Sequence, residues 1–151
     1  MNNINTPLIF SKKISKHFNK NIWLKLEIYN STGSHKDREC ELMVREAKEK
    51  GYKTVGCAST GNLAISLAFF AKKEGLKCLV WLVKKKNNDI VKNYMSAFQS
   101  KIIEKKIKLN DLYKESNEYM DRHQIYNANP GKNKLKLEAN KKIGDEIKKK
   151  N

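Results

Sequence analysis

Hydrophobic positions change period several times along the chain, and each change marks an element. Thr6-Pro-Leu-Ile-Phe10 reads as extended, because proline fixes its own φ and biases its predecessor away from helix. Ser11 to Asn19 can form a short helical turn, with Ile14, His17 and Phe18 at compatible spacing. Ile22 to Tyr29 reads as the first strand. From Arg38 to Lys50, Cys40, Met43, Val44 and Ala47 fall at i, i+3, i+4 and i+7, the stripe of an amphipathic helix. The opposite face pairs Glu41 with Arg45 and Glu46 with Lys50 at i, i+4, and Gly51 ends the helix.

Lys53 to Cys57 is a short strand that runs into Ala58-Ser-Thr-Gly-Asn62, and Leu63 to Lys73 is apolar nearly all round, as a buried helix is. Gly75 closes it. Cys78-Leu-Val-Trp-Leu-Val83 is a continuous apolar run, the mark of a strand covered on both faces. Asp89 to Ser100 predicts a helix facing inward with Ile90, Val91, Tyr94, Met95 and Phe98, and a weaker strand follows at Lys101-Ile-Ile103. Asn110 is expected to cap a helix that turns Leu112, Tyr113, Ser116, Tyr119 and Met120 inward, before a last strand over His123 to Ala128. Leu135, Ala139, Ile143 and Ile147 make a thin stripe in the lysine-rich stretch from Lys132 to Asn151. Strands and helices thus alternate with short connections, which predicts an α/β fold with a mostly parallel sheet flanked by helices.

The 151 residues suit one domain, and 39% hydrophobic content supports a modest core. No apolar run approaches membrane-spanning length, and the start of the chain lacks the pattern of a signal peptide. Cys40, Cys57 and Cys78 show no Cys-x-x-Cys spacing and read as reduced, buried thiols, so a cytoplasmic protein without a metal site is expected. The net charge of +16 raises nucleic-acid binding as an alternative. The basic residues are spread along the chain, with local runs only at Lys84-Lys-Lys86 and Lys148-Lys-Lys150, which disfavours it.

Candidate chemistry sits at two strand-to-helix passages. In Asn30-Ser-Thr-Gly-Ser-His-Lys-Asp-Arg38, Gly33 permits a tight bend and Ser34 can cap the next helix. Lys36 then lies in the first helical turn, where the positive end of the helix dipole disfavours its ammonium and favours the neutral amine that attacks carbonyls. A bland alternative is a lysine pointing to solvent. In Ala58-Ser-Thr-Gly-Asn62, the backbone N–H groups of a helix start suit a carboxylate or phosphate, although capped turns that bind nothing share this form.

In this order, Thr6-Pro-Leu8, Lys25-Leu-Glu27, Asn30 to Arg38 and Ala58 to Asn62 resemble the fold-type II pyridoxal-phosphate enzymes. Among these the match is nearest to the threonine synthases, with their patterns N-P-T-G-S-F-K-D-R and A-S-T-G-N; cysteine synthases and threonine dehydratases are second choices. Tyr126-Asn-Ala-Asn-Pro130 and Leu137-Glu-Ala-Asn-Lys141 extend the resemblance more loosely. It implies the small-domain half of the tryptophan synthase beta-like fold and pyridoxal 5'-phosphate as cofactor. Lys36 would be the catalytic lysine that holds the cofactor as a Schiff base and shuttles protons. Asn62 would bond the cofactor's ring hydroxyl, and Ser59, Thr60 and Gly61, with Asn62, would grip the substrate's α-carboxylate. The implied reaction converts O-phosphohomoserine, a small amino-acid substrate, to threonine and phosphate.

The sequence departs from the pattern at Ser31 and His35, which stand where Pro and Phe are usual. His35 could transfer protons but reads first as a tolerated replacement, and His17 and His123 as structural or surface residues. The resemblance places residues 1–30 with a large domain, 31–131 in the small domain, and 132–151 in a lysine-rich helix or tail. The glycine-rich cradle for the cofactor phosphate finds no counterpart, since Gly131 and Gly144 stand alone. The expectation is therefore an N-terminal part of a threonine-synthase-like lyase, truncated or split and inactive alone, whose apolar first strand would be left exposed or packed differently. A separate chain carrying the other half, or a homodimer, would be its partner. The competing class is a non-catalytic α/β binding module derived from such an enzyme.

Overall fold

A computed structural model describes residues 4–59, 61–84 and 89–149, which leaves out Thr60, Lys85, Lys86, Lys150 and Asn151 among the residues singled out above. Four parallel strands form the central sheet: β3 (Thr54–Ala58), β4 (Lys77–Val83), β5 (Lys101–Lys105) and β6 (Tyr126–Asn127), in the order β5-β4-β3-β6. Helices α2 (Lys36–Glu49), α3 (Asn62–Lys73), α4 (Asp89–Ala97), α5 (Leu109–Arg122) and α6 (Leu135–Lys148) complete it. Ahead of this layer, β1 (Leu8–Phe10) and β2 (Trp23–Lys25) form an antiparallel ribbon around α1 (Lys12–Phe18).

The alternation along β4 explains the layering. Cys78, Val80 and Leu82 join the core beneath α2, α3 and α4, while Leu79 and Trp81 face the smaller core with Leu112 and Met120 of α5. Burying each of these large side chains is worth about 1.5–3 kcal/mol. Gly56 in β3 allows α5 to approach, since a Cβ there would meet Met120 Sδ at 2.8 Å and Trp81 Cζ3 at 3.0 Å. All three cysteines are free and buried, and burial pushes their thiols up, Cys78 to about 12, so none is poised as a thiolate. No helix among the described residues is long and apolar enough to cross a membrane.

Several expected elements take a different form. Ile22 to Tyr29 is a strand only over Trp23–Lys25; Glu27–Tyr29 is a 3-10 turn, because the Glu27 carboxylate is drawn toward Arg38, Thr6 and Asn30. Asn110 lies inside α5 rather than capping it, and Lys108 occupies the cap position with extended backbone. Of the stripe predicted in α4, Val91 and Met95 are buried, whereas Ile90 and Tyr94 remain exposed. The last strand shortens to Tyr126–Asn127. Trp23, Ile28 and Tyr29 are more than half exposed.

One buried guanidinium ties the ribbon, the start of the chain and the last helix to α2. Arg38 Nε and Nη2 donate to Glu27 at 2.8 and 2.9 Å, while Nη1 and Nη2 donate to Glu146 of α6 at 2.6 and 2.9 Å. Its remaining bonds go to Ile4 O (3.1 Å) and Thr6 Oγ1 (3.2 Å). Lys25 adds a second cation, 2.6 Å from Glu146. This cluster orders the lysine-rich C-terminal stretch, whose apolar stripe contributes Ala139 as its one fully buried residue among those described.

Replacing Arg38 by Ala leaves Glu27 with only the Thr6 and Asn30 donors and Glu146 with only Lys25, and should cost about 3 kcal/mol in urea unfolding. Burial works to raise the Glu27 carboxyl, but hydrogen bonds from Arg38, Thr6 and Asn30 outweigh it and hold it down at about 2, against 4.5 ordinarily. A depressed carboxyl contributes stability that is complete above its ordinary value and is lost as pH falls through the folded one. The urea midpoint should therefore fall between pH 4.5 and 2, and Glu27→Gln should flatten that fall.

Candidate active site

Helices α2 and α3 both run counter to β3, so their N-termini lie together at the carboxyl edge of the sheet. The strand order jumps in sequence between β3 and β6, and an open parallel sheet forms its ligand crevice at such a place. The two helices are joined near these ends: Ser66 Oγ of α3 donates to Asp37 Oδ1 at 2.6 Å, and Cys40 Sγ lies 3.8 Å from Leu63 O.

The loop before α2 is held from within. Gly33 takes φ +76°, its N–H donates to Asn30 O at 2.9 Å, and Asn30 Nδ2 donates to Ser34 O at 3.1 Å. Ser34 Oγ accepts the N–H of Lys36 at 3.2 Å, but His35 rather than Ser34 occupies the cap position of α2, without a side-chain cap bond. The buried Asp37 accepts the Thr32 N–H at 2.7 Å and also the Thr32 hydroxyl, which pins the loop from the other side. Lys36 is thus fixed at the first position of α2 with its side chain 20% exposed.

Its Nζ does not face solvent or the helix end alone. It lies 3.0 Å from Oε1 of Glu39, whose carboxylate is 2% exposed and whose Oε2 has no hydrogen-bond partner among the described residues. Sequence reasoning missed this pairing, although the i, i+3 spacing on one helix was visible.

The second loop continues β3. The Ala58 N–H donates to Oδ1 of the buried Asn129 at 2.6 Å, the Ser59 N–H to Trp81 O at 3.1 Å, and the Gly61 N–H to Ser59 Oγ at 3.4 Å. Asn129 is anchored in turn by donating to Ser116 Oγ at 3.0 Å and Asn117 Oδ1 at 2.8 Å. The loose match at Tyr126 to Pro130 therefore contains a residue that shapes the other motif. Asn62 is exposed at the start of α3, Ser59 and Gly61 are half-buried, and Thr60 lies outside the described residues. Among the described residues no side chain caps α3, whose cap position is Gly61.

The arrangement brings the Lys36 amine and the start of α3 to one edge of the sheet. His35 is exposed beside it, while His17 packs on Phe18 and His123 on Tyr119. A cleft of about 760 Å³ lined by Tyr52, Lys53, Met120 and Gln124 opens at the opposite edge and contains none of the motif residues.

Comparison with known proteins agrees with this geometry. The family described as pyridoxal-phosphate dependent enzyme matches residues 1–151. Threonine synthase of Halalkalibacterium halodurans is 43% identical over 76 residues, which is 50% of this chain and 22% of that protein. Threonine synthase of Methanocaldococcus jannaschii is 44% identical over 78 residues, 51% of the chain and 19% of the relative. Among solved structures, threonine deaminase isoform 2 of Solanum lycopersicum superposes with a TM-score of 0.85 at 19% identity, covering 98% of this chain and 41% of that one. Serine racemase of Dictyostelium discoideum gives 0.82 at 20%, covering 97% and 48%. The chain thus spans less than half the length of these proteins.

Asn129→Ala should leave the Ala58 N–H buried without a partner and cost about 1–3 kcal/mol in denaturant unfolding. The same variant should speed hydrogen exchange at Ala58, and unchanged exchange there would show that Asn129 does not hold this loop.

Proposed function

Because the chain belongs to the pyridoxal-phosphate dependent enzyme family, we propose that Lys36 anchors the cofactor's aldehyde for a threonine-synthase-type reaction, from O-phosphohomoserine to threonine and phosphate. The observation that carries this reading is the juxtaposition of two helix starts at the carboxyl edge of the sheet, one bearing Lys36 and the other Ser59 to Asn62. The match in sequence to threonine synthases supports the substrate class. The deaminase and racemase superpositions share the fold, at 19–20% identity.

The residues present fit part of the cofactor. Lys36 has the amine for the aldehyde, and the exposed amide of Asn62 suits the ring hydroxyl. The N-terminus of α3, with Ser59 and Gly61, suits the substrate carboxylate, and Thr60 is assigned to the same loop from its motif. No glycine-rich cradle for a phosphate is found among the described residues: Gly131 sits in a turn and Gly144 inside α6. When bound, the cofactor supplies the electron sink of the reaction, and Lys36 moves protons at the substrate's carbons.

In this reading residues 1–30 pack against a large domain that covers Trp23, Ile28 and Tyr29 and provides the phosphate cradle. Residues 31–131 form the small domain, and 132–151 a helix fastened through Glu146. The large domain lies outside residues 1–151, and these residues by themselves capture the cofactor weakly.

Adding pyridoxal phosphate to the full chain should produce an absorbance band that free cofactor lacks, and Lys36→Ala should abolish it. Identical spectra for the two proteins would rule out this role for Lys36 and favour a non-catalytic binding module.

A further inference from the structure

We propose that Glu39 latches Lys36: its buried carboxylate holds Nζ in an ion pair that must open before the amine can react. Glu39 is thus a positioning residue acting through Lys36, and its importance for function rests on the cofactor role given to that lysine above.

The two groups lie one helical turn apart, with Nζ 3.0 Å from Oε1. At this distance Nζ is held against the Glu39 carboxylate, and a nitrogen engaged there is not placed to attack a carbonyl in the crevice. Exposed pairs of this kind open readily because water screens and replaces the partner. Here water cannot replace it easily, since the Glu39 side chain is 2% exposed. Oε2 is buried without a hydrogen bond among the described residues, so Nζ is the group that compensates the charge. Moving Nζ away leaves a buried carboxylate uncompensated, which is more costly than the loss of a surface contact.

The neighbouring carboxylate cannot take over either role. Both oxygens of Asp37 are occupied, by the N–H and hydroxyl of Thr32 and by Ser66 Oγ. Arg38, the next cation along the helix, is committed to Glu27 and Glu146. Lys36 and Glu39 are thereby left to each other. The latch accounts for an amine that is partly exposed at the crevice yet not free, and whatever enters must offer Glu39 a new partner or draw Nζ past it.

Competitive acetylation with limiting acetic anhydride reads this directly, without cofactor, by comparing Lys36 with the exposed Lys13 of the same molecule. In Glu39→Gln the Lys36:Lys13 labelling ratio should rise by about five-fold or more. Glu39→Met, which removes the unpartnered oxygen as well, should raise it similarly and guards against a misfolded glutamine variant. An unchanged or lower ratio in a variant that keeps the native circular dichroism spectrum would overturn the latch. That failure would leave cofactor capture by Lys36 standing. A raised ratio without any capture of pyridoxal phosphate would instead support the latch and remove the proposed function.

Discussion

A guanidinium taken out of water needs full compensation, and much of this structure follows from how Arg38 obtains it. Its donors are used by Glu27, Glu146, Ile4 O and Thr6, which come from the 3-10 turn after β2, from the last helix and from the start of the chain. These segments bury few apolar side chains of their own. Charge, rather than a shared core, fastens them to α2. Because Arg38 stands two residues after Lys36, the same cluster steadies the helix turn that presents the amine.

The site is organised by buried polar groups of similar kind. Asp37 locks the loop before α2 and reaches across to Ser66 of α3. Asn129 closes the end of β3 from the far side of the sheet. Each satisfies backbone or hydroxyl groups that would otherwise be buried without partners, so the loop before α2 and the end of β3 are held from within the protein. Glu39 differs from them: one of its oxygens is engaged with a group that must move. Three consecutive charged residues, Asp37, Arg38 and Glu39, are buried in one helical turn and serve three separate purposes.

The sheet and its helices were legible in the sequence because their signals are local. The continuous apolar run of β4, the stripe of α2 and the glycines that end α2 and α3 each depend on a few adjacent residues. The two loops were legible for the same reason, as short motifs at strand-to-helix passages. Errors arose where a distant partner decides the outcome. Glu27 leaves the strand period to meet Arg38, eleven residues on, and α6 is fastened by a contact over 108 residues. Ile90 and Tyr94 follow a helical stripe but find no opposing layer. Asn129 and Glu39 were hidden for different reasons: the first acts over 71 residues, while the second lies one turn from Lys36 but gains its meaning from burial.

The account stands or falls on whether Lys36 is chemically singled out from the many other lysines of the chain. Borohydride reduction after incubation with substoichiometric pyridoxal phosphate, followed by peptide mass mapping, measures this directly. The account predicts that the mass gain concentrates on the peptide containing Lys36. Label spread over exposed lysines, with Lys36 no more modified than Lys13, would contradict it.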